Sequence, residues 1–169
     1  MSAEAGEGSG VTACVITVSD RCAAGERADR SGPIAVDTLR AAGFDCADAV
    51  IVPDGADSVQ GALRDALAAG VRVIVTTGGT GVSPRDQTPE GTARVITREV
   101  PGISEELRRR GAGEKTVAVL SRGIAGVEDA CAAVIVNLPG SSAGVSSGMP
   151  VVIALAGHVL DQLDGKDHG

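Results

Sequence analysis

The stretch from Val71 to Gly91, VRVIVTTGGTGVSPRDQTPEG, constrains the chain most. Its first seven residues, Val71 to Thr77, are β-branched and carry one charge, the pattern of a strand buried on both faces of a parallel sheet. Gly78, Gly79 and Gly81 follow at once, so the chain can turn sharply and its N–H groups can come close to a ligand. Thr88-Pro89-Glu90 then has the form of an N-cap, a first-turn proline and a first-turn acid, which predicts a helix starting there. An anion could sit between the glycines and that helix, at the carboxyl end of the strand. An ordinary strand-to-helix turn uses the same glycines, and short glycine motifs match often by chance. The neighbouring Arg85-Asp86 pair, which packing at an exposed strand end does not require, favours the ligand.

With 169 residues the chain can bury a substantial core, but Phe44 is its only aromatic residue. Any bound ring system must therefore be held by backbone groups, aliphatic side chains or arginine faces. The stacking aromatics of RNA-binding and single-strand-binding modules are missing, and the net charge is −7, so nucleic acid is not expected as a partner. Cys14, Cys22, Cys46 and Cys131 contain no C-x-x-C pair and are expected to be buried small hydrophobes rather than zinc ligands or disulfides. The two histidines, His158 on a helix or core edge and His168 in a polar tail, make a Ser-His or Cys-His mechanism a weak expectation. Residues 1–10 are expected to form a disordered lead and not a signal peptide. No run approaches membrane-spanning length, so a cytoplasmic protein without membrane contact is expected.

Along the chain, Thr12 to Ser19 is predicted as a strand, followed by a polar loop from Asp20 to Ser31 and a helix from Ser31-Gly32-Pro33 to Ala42. Asp45 to Pro53 is predicted as a second strand, and Asp57 or Ser58 as the cap of a helix reaching Ala69. Beyond Thr88, Ala93 to Val100 and Ser104 to Arg110 are predicted helical, with a break at Pro101-Gly102. Thr116 to Leu120 is a short apolar segment. Gly123 to Val136 is predicted to be a hairpin whose second strand runs from Ala133 to Leu138. Gly144 to Gly148 and Pro150 to Leu163 are predicted as two helices. Alternating strands and helices predict a three-layer α/β/α sandwich, with a mostly parallel sheet and one antiparallel strand, in a single domain spanning 11–164 with a polar tail at 165–169.

Ligands of such sheets bind outside the carboxyl ends of the strands. Four polar segments should meet there, and three carry an aspartate: Asp20, Asp54 and Asp86. Each alone is the kind of carboxylate common in turns. Two carboxylates beside a phosphate-sized glycine pocket point to Mg²⁺, a hard ion that takes one or two carboxylates plus phosphate oxygens. The Walker lysine is missing, which excludes a P-loop of that type.

The segments SDRCAAGERADRSGP (19–33), VPD (52–54), TTGGTGVSPRDQTPE (76–90), PGISE (101–105), LSR (120–122) and NLPGS (137–141) resemble the molybdenum cofactor biosynthesis family. Its types are bacterial molybdopterin adenylyltransferase, the gephyrin G domain and the plant G domains. The resemblance covers nearly the whole chain beyond residue 10. It implies an α/β/α sandwich, usually a homotrimer, that moves AMP from ATP to the terminal phosphate of molybdopterin and hands the product to a molybdenum insertase. It assigns Mg-ATP chemistry to Asp54 and Asp86 and a further site carboxylate to Asp20. Gly78, Gly79, Thr80 and Gly81 match the nucleotide and phosphate loop, Pro139, Gly140 and Ser141 a loop flanking the nucleotide, and Ser121 and Arg122 the side of the pterin phosphate. Arg85 joins the binding residues. The attacking phosphate oxygen is already ionised, so no general base is needed and the shortage of histidine is no obstacle. Alternatives are a catalytically silent molybdopterin-binding paralogue, a trimeric interaction module (trimer or hexamer being open), and a nucleotide hydrolase that needs no pterin.

Overall fold

The computed structural model describes residues 10–166. The expected lead at 1–10 falls almost wholly outside them, as does His168. Seven strands form one sheet in the order β2-β1-β4-β7-β6-β5, with β3 also paired to β1. Its centre is β1 (Thr12–Val18), β4 (Val73–Thr77) and β7 (Ala133–Leu138), all parallel. β2 (Asp45–Cys46) and β3 (Val50–Val52) flank β1 in parallel. On the other side β6 (Ala125–Glu128) runs antiparallel to β7, and β5 (Arg98–Glu99) antiparallel to β6.

β4 is buried at every residue. Val73 and Val75 face one layer and Ile74 the other, as the two-residue period of a strand requires. The first layer consists of α2 (Ser31–Ala41), α5 (Pro101–Glu114) and α6 (Ser142–Leu163), whose Val36, Leu39, Ile103, Met149 and Val152 pack with Val73 and Val75. The second is α3 (Ala56–Ala68), whose Val59, Leu63 and Ala66 recur at helical spacing and pack on Ile16, Ile74 and Ile135; α4 (Thr88–Ala93) lies against α3. Fully buried side chains such as Leu39, Leu63 and Ile74 each contribute about 1.5–3 kcal/mol through burial. The three-layer sandwich with an antiparallel margin is thus observed.

Several local expectations are corrected. The loop after β1 opens with a short helix, α1 (Asp20–Ala23), capped by Ser19 Oγ accepting from Cys22 N. The strand expected over Asp45 to Pro53 is split into β2 and β3. α3 begins at Ala56, ahead of both residues expected to cap it, Asp57 and Ser58. Thr88 is the first residue of α4 and not its cap; its buried Oγ1 instead donates to Gly78 O at 2.8 Å. Ala93 to Val100 does not continue as helix, because Thr97 N and Val100 N donate to Val127 O and Ala125 O and draw the chain into β5. Pro101 then starts α5 where a break was expected, since a proline costs no hydrogen bond in a first turn. The two helices expected at the C-terminal end form a single one, α6, with Pro150 inside. Pro150 is exposed, as is Ser146, whose carbonyl loses its partner, so the missing bond lies on the solvent side.

With 22 residues and a mean hydropathy of 1.6 over its apolar window, α6 is long and apolar enough to span a membrane, contrary to expectation. Its Val145, Met149, Val152, Ala156 and Leu160 are buried against the sheet, which accounts for that composition. The cysteines are not uniformly buried either. Cys46 is buried, Cys14 and Cys22 are half-buried, and Cys131 is exposed, drawn into the β6–β7 turn where its N donates to Glu128.

Candidate active site

Sheet register assembles the site. Thr17 aligns with Thr77 and Thr77 with Leu138, so the segments leaving β1, β4 and β7 emerge together at one edge. Val18 aligns with Val52, which brings Asp20 and Asp54, two residues beyond each, to face one another. Asp20 N donates to Asp54 Oδ2 at 3.0 Å and Asp54 N to Asp20 Oδ1 at 3.1 Å. The glycine loop crosses the edge beside them. Gly78 has φ +94° and packs so closely on β1 and Gly140 that a Cβ would collide with Val18 O. Gly79 has φ +68°, and a Cβ there would meet Thr88 Oγ1 and lie 3.2 Å from Asp54 Oδ1. Only glycine meets both demands at these positions.

Asp54, Asp86, Gly78, Gly79, Gly140 and Ser141 line one cleft of about 380 Å³. Thr80, Gly81, Ser121, Pro139 and Ser141 line an adjoining cavity of about 250 Å³ between the loop, α5 and the start of α6. Ser141 belongs to both, so the Pro139-Gly140-Ser141 turn separates two compartments. Ser141 also caps α6, its Oγ accepting from Gly144 N at 3.1 Å. The structure therefore brings together the expected aspartates, glycines and serines. The two expected arginines line neither compartment. Arg85 holds Asp20 through a two-pronged pair, Nε to Oδ2 and Nη2 to Oδ1 at 3.0 Å each, and donates to Asp54 O at 3.1 Å. Arg122 binds the glycine loop and Glu90.

Arg27, Asp29 and Arg30, which lie in the 19–33 segment but to which the sequence assigns no role, also line the cleft, with Thr17 and Ser31 at its floor. Asp29 accepts from Thr17 Oγ1 at 2.7 Å and from Gly32 N at 3.0 Å, while Ser31 Oγ and Thr77 Oγ1 lie 3.0 Å apart. Their signal in the sequence is membership of the 19–33 segment, in the polar loop after β1.

Charge is divided unevenly over the carboxylates. The Arg85 guanidinium holds the Asp20 carboxyl below the usual range. Burial first, then the charges of Asp20 and Asp86, push Asp54 above it. Among the described residues no group of three or more His, Cys, Asp or Glu could hold a metal ion alone. The donor set, Asp54 and Asp86 with a glycine loop between them, fits Mg²⁺ arriving with phosphates, because such an ion needs few protein ligands and relieves the excess negative potential at Asp54.

These features define a doubly wound α/β protein whose ligand cleft opens at the carboxyl ends of the central strands. Over residues 14–158 the chain matches the family described as probable molybdopterin binding domain, and it belongs to that family. A molybdenum cofactor biosynthesis bifunctional protein from Synechococcus elongatus is 43% identical over 160 residues, which cover 95% of this chain and 50% of that protein. This chain spans about half the length of the first curated relatives it matches, or less. The molybdopterin adenylyltransferase of Pyrococcus furiosus is 38% identical over 149 residues, 86% of this chain and 87% of that one. Among solved structures, the molybdopterin biosynthesis Mog protein from Mycobacterium ulcerans is similar with a TM-score of 0.85 and 41% identity, covering 92% of this chain and 98% of that chain.

Proposed function

We propose that the protein is a molybdopterin adenylyltransferase, which transfers AMP from ATP to the terminal phosphate of molybdopterin. The observation that carries this reading is the pair of compartments meeting at Ser141, with Asp54 and Asp86 on one side of the glycine loop. A donor nucleotide and an acceptor can then meet end to end across one turn. A terminal phosphate oxygen of the acceptor forms a bond to the α-phosphorus, the bond from that phosphorus to the bridging oxygen breaks, and pyrophosphate leaves with its electron pair.

The chain's own groups supply orientation and charge complementarity. Gly79, Thr80 and Gly81 line the phosphate path and would meet it with backbone N–H groups, and Gly140 with Ser141 flanks the nucleotide. Asp54 and Asp86 would hold Mg²⁺, which when bound offsets repulsion between the two anions and the charge growing on the leaving group. Asp20, fixed by Arg85, keeps Asp54 in place. Ser121 stands on the acceptor side. No group need remove a proton, because the nucleophile is ionised at neutral pH.

A relative named molybdopterin adenylyltransferase, 38% identical over most of both chains, supports the reading. With it come a homotrimer, a molybdenum insertase as the next enzyme, and a cytoplasmic location. The test is transfer of labelled AMP to molybdopterin by the purified protein with ATP and Mg²⁺, with Asp54→Ala and Asp86→Asn alongside. Transfer that falls at least about 100-fold in both variants, with circular dichroism unchanged, is expected. Tight pterin binding without transfer in the unmutated protein would replace the enzyme by a binding-only paralogue.

A further inference from the structure

We infer that Arg122 is a positioning residue: with Glu90 it clamps the glycine loop from behind and sets where Asp86 stands, without itself contacting a substrate phosphate. The inference rests on the role of Asp86 proposed above.

Between Gly79 and Thr88 the chain belongs to no strand or helix. Three of its carbonyls are gathered by one residue. Arg122 N donates to Thr80 O at 2.7 Å, Nε to Gly81 O at 2.8 Å and Nη2 to Asp86 O at 2.7 Å, while Nη1 pairs with Glu90. Glu90 stands in the first turn of α4, which is anchored by buried Thr88, Pro89, Gly91 and Thr92. The clamp thus refers the loop to a fixed helix. Arg122 is itself held, since Arg108 Nη1 donates to Ser121 O at 3.3 Å and Gly123 O at 2.9 Å on either side of it.

The turn that carries Asp86 is closed on itself. Asp86 N donates to Ser83 O at 3.0 Å, and Ser83 N to Asp86 Oδ2 at 3.1 Å. Gly81 lets that carboxylate come close, since a Cβ there would lie 2.8 Å from Oδ2. The closed turn is held relative to Asp54 from two sides: Arg85, within it, donates to Asp54 O at 3.1 Å, and Arg122 holds Gly81 O and Asp86 O from behind. A guanidinium engaged on three sides by protein oxygens no longer offers the open fork that a bidentate phosphate needs. Lysine cannot replace it, because one ammonium cannot span acceptors set around a planar fork.

The variants are Arg122→Lys, Arg122→Ala, Glu90→Ala and the Arg122→Ala/Glu90→Ala double. Hydrogen exchange of the ligand-free protein should speed up about tenfold or more over residues 79–90 in all of them, with β1 and β7 unchanged. In the transfer assay kcat should fall about 10- to 100-fold in Arg122→Lys and in Glu90→Ala, while KM for molybdopterin stays within about twofold. The double variant should be no worse than Arg122→Ala, as two parts of one clamp require. Full kcat in Arg122→Lys would overturn the inference. So would a raised KM for molybdopterin in Arg122→Ala with Glu90→Ala as active as the unmutated protein, the mark of direct phosphate contact. If the unmutated protein transfers no AMP, the functional reading fails separately. The exchange data for Glu90→Ala then decide alone, faster exchange upholding the clamp and unchanged exchange overturning it.

Discussion

Asp20 and Asp54 each donate a backbone N–H to the other's carboxylate, at 3.0 and 3.1 Å, across 34 residues of sequence. The exchange joins the loops after β1 and β3 into one rim. The two groups differ electrostatically: the Arg85 guanidinium lowers the Asp20 carboxyl, while burial, then the charges of Asp20 and Asp86, raise that of Asp54.

Asp20→Ala removes the acceptor for Asp54 N and the partner of Arg85 at once. Both groups are open to water, so thermal stability should change by only a few degrees. The position of the Asp54 carboxylate should suffer more, and transfer should fall about 10- to 100-fold. Asp20→Asn retains one acceptor and should recover part of that loss. Steady-state kinetics beside a thermal melt checks this; equal losses in both variants would mean that the charge of Asp20, and not its hold on Asp54, matters.

Gly78 and Gly61 make a matched pair. Gly78 combines φ +94° with Val18 O directly where a Cβ would go. Gly78→Ala should destabilise by about 2–5 kcal/mol, adding backbone strain to overpacking against a main-chain atom. Gly61 lies inside α3 with nothing within 4 Å of a Cβ, so Gly61→Ala should stabilise by about 0.5–1 kcal/mol. Urea denaturation of both variants reads the two signs; a neutral Gly78→Ala would show that the loop can move away from β1.

The helix α5 gives a pH signature. Arg109 first, then Arg110, holds the Glu106 carboxyl down to about 2 from the ordinary 4.5, through contacts of 2.6 to 2.9 Å. A carboxyl lowered in the folded state contributes stability above its unfolded value and loses it as pH falls toward the folded one. The unmutated protein should therefore melt slightly above Glu106→Gln, by about 1–2 °C at pH 7, as exposed pairs are weak. The margin should close between pH 4.5 and about 2. A margin that stays constant down to pH 3 would assign it to helix propensity instead.

What was legible in the sequence follows burial and local chemistry. β4 could be read because a strand buried on both faces must be apolar throughout, and Gly78 and Gly79 because positive φ excludes most other residues. Asp20, Asp54 and Asp86 could be placed at one edge from strand order alone. Their partners could not, because Asp20 meets Asp54 through the register of β1 with β3, which no local pattern encodes. Arg85 and Arg122 have the same composition as phosphate-binding arginines, and only the fold shows that one is taken by Asp20 and the other by the glycine loop. Pro101 and Pro150 depart from expectation for a related reason. Proline stops a helix in an interior with no solvent side, yet it starts α5 at a first turn and is tolerated in α6 where the carbonyl it leaves unpaired, that of Ser146, is exposed.

Cysteine reactivity can report occupancy of the cleft. Burial pushes the Cys14 thiol up to about 11, and Cys46, raised by burial as well, is buried in the core beside α2. Neither should alkylate appreciably at pH 8 in the native protein, because the thiolate is the reactive form. Cys22 is half-buried in α1 and lines the cleft with Asp54 and Gly79. Iodoacetamide should label it within minutes to hours, and Mg-ATP should slow that labelling at least about fivefold if the nucleotide fills this compartment. Cys131 is exposed in the β6–β7 turn, on the far side of the sheet from the ligand edge, and serves as the internal control whose rate should not change. Peptide mapping by mass spectrometry with and without Mg-ATP gives all four rates in one experiment. Protection of Cys22 by molybdopterin and not by Mg-ATP would exchange the two compartments, placing the acceptor beside Asp54 and the nucleotide against α5.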